Sequence, residues 1–189
     1  MQAGQKKVTN GVDVNRLFQT IEDVKARPEL AKFNFHISNR WNGGGQNQSE
    51  VKSFYGAGQE WQHAQRFTLI ADEAEVLLGT DRGPNPVEYL LHALASCITS
   101  SMIYHAAAKG IAIQAVESTI EGDIDLRGFL GIDPSVRNGY QQIRMKFRIK
   151  ADAPDEQIQE LGRLGPRFSP VFDSVTNGVP VKVSAERMV

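Results

Sequence analysis

The chain of 189 residues has one cysteine, Cys97, and four histidines. A single thiol excludes an intramolecular disulfide; it leaves a structural thiol, a reactive thiol or a thiol with an intermolecular partner. The histidines, His36, His63, His92 and His105, show no HxxxH spacing, and one cysteine cannot supply a CxxC pair. His92 and His105 lie 13 residues apart, about 20 Å along a helix, too far to share a metal. Neither a metal nor another cofactor is expected. The glycine run WNGGGQNQSE has no Lys-Ser/Thr after it and no helix pattern behind it, so it reads as a hairpin turn and not a phosphate loop. No GxSxG elbow occurs, which disfavours a serine hydrolase. Lys and Arg number 21 against 22 Asp and Glu, a net charge of −1, without the basic excess of a nucleic-acid binder. The start, MQAGQKKVTNG, is polar and holds no apolar signal core. Repeats, low-complexity segments and linkers are also missing. A cytoplasmic protein is expected.

Another absence is local. From Tyr89 to Ala108 there is no Asp, Glu, Lys or Arg. The stretch approaches the roughly 20 residues that span a bilayer. It contains His92, Ser96, Thr99, Ser100, Ser101 and His105, and many of its other residues are alanine. These favour a buried helix in a soluble protein, and no membrane association is expected. So long and uncharged a helix calls for cover over most of its surface; the chain is expected to wrap around it. Asn85 suits its cap, Pro86 its first turn and Gly110 its end.

The remaining pattern mixes helix and strand. Residues 13–27 predict a helix capped by Asp13, with Val14, Leu17, Phe18, Ile21 and Val24 at helical spacing and Pro28 beyond it. Residues 33–41 alternate as a half-buried strand: Phe33, Phe35, Ile37 and Trp41 on one face, Asn34, His36, Ser38 and Arg40 on the other. Gly43, Gly44 and Gly45 then turn the chain. Strands are expected near 51–55 and 65–71, a loop at 79–86, one long and possibly bulged strand over 111–126, and a loop with a helical turn over 127–139. Residues 141–150 alternate Ile143, Met145, Phe147 and Ile149 with Arg144, Lys146, Arg148 and Lys150. The preceding strand carries Glu117, Glu121, Asp123 and Asp125 at the same spacing. The two are therefore expected to pair antiparallel with opposite charges facing, and the basic stripe reads as a solvated sheet face. A helix at about 155–164 begins after Pro154; Ser169-Pro170 caps and starts a short helix that Asn177-Gly178 closes; VPVKV predicts a final strand. Strand sets flanking a long helix make the fold class α+β.

Cys97 on an apolar helix suits a small buried hydrophobe. Reactivity would need a thiolate and a nearby cation. Cys97 lies roughly eleven residues into the helix, beyond the reach of the N-terminal dipole, and the helix supplies no Lys or Arg within two turns. The cation would come from Arg40, Arg66, Arg82 or the arginines of later strands and loops. Arg40 stands out, closing the polar face of its strand beside Trp41 and the glycine turn.

The run GPNPVEYLLHALASC, the apolar helix after it and the later RFSPVFDSVTNGVPVKV resemble the OsmC/Ohr family of osmotically inducible and organic hydroperoxide resistance proteins. The similarity covers roughly residues 32–184, with residues 1–31 as an N-terminal helical extension before a domain of 32–189. The extension and the loop RGFLGIDPSVRNGY look like features of a subgroup, here one with a single cysteine. The resemblance implies an OsmC-like fold: antiparallel sheets around a central cysteine-bearing helix, in an intertwined homodimer with sites at the subunit interface. In active members it implies a thiol peroxidase: one cysteine attacks an organic hydroperoxide, a second resolves the sulfenic acid as a disulfide, and an arginine and a glutamate serve the first. The peroxidatic position falls on Cys97, the resolving position on Ser169 and the arginine on Arg40. The glutamate position of the peroxidases falls on Val87, with Glu88 one residue later. Serine cannot form the disulfide, so an external thiol reductant is implied. The expected partners are a hydroperoxide or another small apolar molecule and a second copy of the chain. A one-cysteine peroxidase is favoured over a non-enzymatic dimer of this fold that binds or senses a small apolar or electrophilic molecule. Ser169 and Glu88 also have ordinary roles, as a helix cap and as an acid in a first helical turn.

Overall fold

A computed structural model describes residues 7–188, and its contacts divide the chain into two compact units, residues 1–92 and 93–189. The fold is α+β with antiparallel sheets.

The first unit opens with a small hairpin, β1 (Val8–Thr9) and β2 (Val12–Asp13), turned by Asn10 and Gly11 at φ 54° and 78°. These left-handed values are those of the tight turn that Asn-Gly favours between strands. Asp13 then caps α1 (Val14–Ala26), accepting from the Arg16 amide at 3.0 Å. A 3₁₀ turn (Pro28–Ala31) leads into β3 (Asn34–Phe35), β4 (Ser38–Gly43), β5 (Gln46–Gly56) and β6 (Gln59–Ala71). β5 is the shared strand: β3, β4 and β6 all pair with it antiparallel. The single strand expected over 33–41 is two pieces. The pairing Phe35↔Phe54 gives way to Ser38↔Glu50, so β5 spends one residue more than its partner and the ladder breaks at His36 and Ile37. The expected half burial of this strand also fails: Phe35 and Trp41 are each 72% exposed. The rings of Phe33, Phe35 and Phe54 stack on one another across the sheet instead, with centroids 5.4 to 6.3 Å apart.

The chain then reaches α2 (Pro86–Ala108). The helix is not sheathed as its composition suggested. Its fully buried residues are Leu94, Ile98, Met102, Ala106 and Ala107, a single stripe at four-residue spacing. The helix is apolar all round because other surfaces than the buried stripe are also built for contact. Its hydroxyls fold back on their own helix: Ser96 donates to the Ala93 carbonyl at 3.2 Å and Thr99 to that of Ala95 at 2.8 Å, which satisfies them inside an apolar surface.

In the second unit β7 (Ile113–Asp123) and β8 (Gln142–Ala151) form a two-stranded antiparallel sheet, bulged between Ile113 and Ala115. The predicted charge pairing is present. Glu117 faces Arg148 and Glu121 faces Arg144, and both pairs are ion-paired; Arg144 also holds Asp123. The inner face carries Val116, Phe147 and Ile149 against a core of Met102, Ala106, Leu161 and Leu164. Between the strands lies α3 (Leu126–Phe129), capped by Asp125. After β8 comes α4 (Asp155–Phe168), which runs four residues past the expected end at 164 and through Pro166, then α5 (Pro170–Asn177). The final strand is not formed: residues 178–188 are without strand pairing, and Val181 and Val183 are 77% and 90% exposed. Valines alternate there as a strand would need, but among the described residues no strand pairs with them.

Candidate active site around Cys97

The approach to α2 is set by Asp72, buried to 1% exposure. Its carboxylate accepts from the Thr80 hydroxyl at 2.6 Å and from the amides of Glu73 and Arg82 at 2.8 and 3.1 Å. These donors, the Thr80 hydroxyl first, hold it below the usual carboxylate range. The loop so fixed delivers Asn85, whose side-chain oxygen accepts from the Val87 amide at 3.0 Å. Glu88 reaches back and accepts from the Asn85 amide at 2.9 Å. Asn85 and Glu88 thus form a capping box, two orphan donors of the helix start satisfied reciprocally. Tyr89 ties the first turns to the sheet by donating to the Ile70 carbonyl at 2.7 Å.

Cys97 is the free thiol of the second unit and is partly exposed. The turn of α2 around it is gripped by α4. A Cβ built on Gly165 would stand 2.7 Å from Ile98 Cγ2 and 2.9 Å from the Ile98 carbonyl oxygen, so only a residue without a side chain lets α4 lie this close. One turn beyond Cys97, the Ser101 hydroxyl donates to the Phe168 carbonyl at 3.3 Å. One turn further, the His105 ring stacks on the Phe168 ring with centroids 4.0 Å apart. Burial first, then the charges of Lys109 and Arg167, push the His105 imidazolium below its usual pKa. Arg167 lies over the other ring system, 5.2 Å from the Phe168 centroid. Directly after Phe168 comes Ser169, 2% exposed, whose hydroxyl oxygen accepts from the Phe172 amide at 3.1 Å and caps α5.

The sequence-predicted residues fall out as follows. Cys97 and Ser169 belong to one unit, and the segment that carries Ser169 is anchored on the turns of α2 that follow Cys97. Glu88 belongs to the first unit, its carboxylate engaged in the cap; about two and a half helical turns separate it from Cys97. Arg40 is an exposed residue of β4 opposite Gln48. There it shares a sheet face with Glu50, which Lys52 pairs at 2.7 Å; Lys52 first, then Arg66 and Arg40, lower the Glu50 pKa. Arg82 contributes its backbone amide to Asp72. Sequence reasoning missed Gly165, Ser101, His105, Phe168 and Arg167 as one group. The signal was the glycine of RLGPRFSP, which stands inside α4 where a helix former would otherwise be preferred. Among the described residues no group of three or more His, Cys, Asp or Glu could hold a metal, and no helix is long and apolar enough to cross a membrane.

This arrangement can offer a single thiol, next to a segment whose hydroxyl is committed to a helix cap, for one-thiol chemistry. The comparisons with known proteins bear on the same segments. A family model described as OsmC-like protein matches residues 79–184, from the approach to α2 to the C-terminal valines. No curated protein matches the sequence significantly. Among solved structures, an OsmC-like protein from Mycoplasma pneumoniae is similar with a TM-score of 0.57 at 17% identity, over 75% of this chain and 86% of that one. An OsmC-like protein of unknown function from Vibrio cholerae gives 0.56 at 10% identity, over 76% and 94%. An organic hydroperoxide resistance protein from Legionella pneumophila gives 0.53 at 15% identity, over 78% and 94%. At these identities the likeness is one of fold.

Proposed function

The chain belongs to the OsmC-like protein family, and from that premise we propose that it is a one-cysteine peroxidase that reduces organic hydroperoxides with an external thiol. The observation that carries the reading is Cys97 itself, a partly exposed free thiol on a turn of α2 next to the anchored second motif. The Cys97 thiolate attacks the outer peroxide oxygen; the O–O bond breaks, the alcohol leaves with a proton, and Cys97 becomes a sulfenic acid. Ser169 has no sulfur to condense with it. An external thiol therefore forms a mixed disulfide with loss of water, and a second thiol displaces it, leaving Cys97 reduced and the co-substrate as its disulfide. Such a cycle suits the reduced thiol pool of the cytoplasm. It also agrees with the hydroperoxide resistance named for the Legionella pneumophila protein of the same fold.

The functional unit of this reading is a homodimer. Support comes from apolar surface that the chain leaves open: Phe33, Phe35, Ile37 and Trp41 on the sheet, Leu90 and Tyr104 on α2 and the valines near the C-terminus. Exposed apolar area on this scale marks an interaction surface. Arg40 and Glu88 are then candidates to serve Cys97 only in the assembled protein.

A second reading, a non-enzymatic member that binds or senses a small apolar or electrophilic molecule, is favoured by one observation: Glu88 is spent on the capping box. One experiment separates the two. Reduced protein is mixed with cumene hydroperoxide, and Cys97 is followed with a sulfenic-acid probe and intact-mass spectrometry. The peroxidase reading expects oxidation at least a hundredfold faster than glutathione under the same conditions. A rate no greater than that of glutathione rejects it in favour of the binding reading.

A further inference from the structure

Arg163 and Arg167 stand one turn apart on α4, both exposed. Neither makes an ion pair among the described residues. The acids on the elements around them are engaged. Glu160 pairs with Lys109 of α2, and Asp173 of α5 accepts from Asn177 at 2.7 Å. Arg167 is also held, its guanidinium 5.2 Å from the Phe168 ring centroid on one side of a stack whose other member is His105. A planar cation fixed on an aromatic face, with no carboxylate opposite, is a ready partner for an anionic ligand group. Its location is defined by α2: eight residues lie between Cys97 and His105, about 12 Å of helix. A tripeptide in extended form spans about 10 Å.

We propose that Arg163 and Arg167 form the anion-recognising end of the Cys97 site and select, as its reductant, a peptide-sized thiol that carries a carboxylate about 10 Å from its sulfur. The inference rests on Cys97 being the reacting thiol and goes beyond it by naming the chemistry of the co-substrate. Phe168 and His105 act as the platform, and Arg167 supplies the charge. The oxidised Cys97 sulfur takes the incoming thiolate, water leaves, and the carboxylate is paired with the arginines while the mixed disulfide forms. A second molecule of the same thiol then attacks that disulfide, and the oxidised thiol departs.

The test uses the reduced full chain and no hydroperoxide, so its outcome is separate from that of the peroxidase reading. Cys97 is reacted with two disulfide probes, an aryl disulfide carrying two carboxylates and a neutral dipyridyl disulfide. In each case the thiolate displaces one aryl thiolate, whose absorbance gives the rate. Arg167→Gln is expected to slow the anionic probe roughly threefold, and Arg163→Gln with Arg167→Gln roughly tenfold, as exposed charge pairs allow. The neutral probe should change less than twofold, and the selectivity should fade in high salt. Arg16→Gln, an exposed arginine on α1, is the control for net charge. Equal rates for wild type and double variant with the anionic probe overturn the proposal. So does an equal loss with both probes, which would make the arginines part of the fold or of thiol activation. A loss matched by Arg16→Gln would assign the effect to net charge and overturn it as well.

Discussion

Replacing Gly165 by alanine tests how closely α4 must approach the turn that carries Cys97. The added Cβ would lie 2.7 Å from Ile98 Cγ2 and 2.9 Å from the Ile98 carbonyl oxygen. Ordinary contact begins at 3.4 Å, so α4 must retreat by 3.4 − 2.7, about 0.7 Å, or the Ile98 side chain must leave its rotamer. Overpacking of this kind costs about 1–3 kcal/mol. Alanine also gains about 1 kcal/mol over glycine as a helix former, which masks part of the loss. Gly162, in the same helix with nothing within 4 Å of its would-be Cβ, isolates the two effects. Gly162→Ala should stabilise by about 0.5–1 kcal/mol. Gly165→Ala should fall below Gly162→Ala by about 1–3 kcal/mol, a gap of roughly 2–12 °C in thermal midpoint for a chain of this size. Urea denaturation of the three proteins side by side gives the difference directly, and Gly165→Ala should also change the alkylation rate of Cys97. Equal stability of the two alanine variants would refute the claim that α4 rests on the backbone of α2.

Two further predictions follow from the same junction. Burial holds the His105 pKa below its value in the unfolded chain, so the unfolded state takes up the proton first. The contribution of neutral His105 to stability is complete above about pH 6.5 and is lost as pH falls from there towards the folded pKa; in His105→Gln the urea midpoint should lose that part of its acid dependence, and an unchanged pH profile would count against the stack with Phe168. Ser169→Ala removes the acceptor for the Phe172 amide and should cost about 0.5–2 kcal/mol. Ser169→Cys places a second thiol in the anchored segment; mild oxidation should give an intramolecular disulfide with Cys97, read by mass spectrometry under non-reducing conditions, and persistence of two free thiols would show that the segment lies out of reach.

The sequence was most legible where a pattern answered to a local rule. The alternation in residues 141–150, matched by the acids of the strand before it, located β7 and β8, their direction and their charge pairs, because facing strands must satisfy each other's side chains. Asp13, Asn85 and Ser169 were legible as caps for the same reason: a helix start needs an acceptor within three residues. It was least legible where one residue too many enters a ladder. Nothing in the alternation of residues 33–41 marks the break at His36 and Ile37, since the extra residue sits in β5. Burial was the other failure. Apolar periodicity says which residues face the same way, not whether anything covers them, and Phe35, Trp41 and the C-terminal valines show the difference. At the site, Cys97 and Ser169 could be named from motifs. The set of Gly165, Ser101, Phe168 and His105 could not, since it depends on how α4 crosses α2.

The C-terminal valines have a consequence for the life of the newly made chain. β7 and β8 pair only with each other among the described residues, which leaves each with an open edge, and the tail carries alternating valines with nothing to pair them. Open edges and an unpaired strand-forming tail are the ingredients of edge-to-edge aggregation. Before those groups are covered, the chain competes between correct assembly and sticking to its neighbours. Its yield on expression should therefore respond to the rate of synthesis and to temperature more than to the stability of either compact unit.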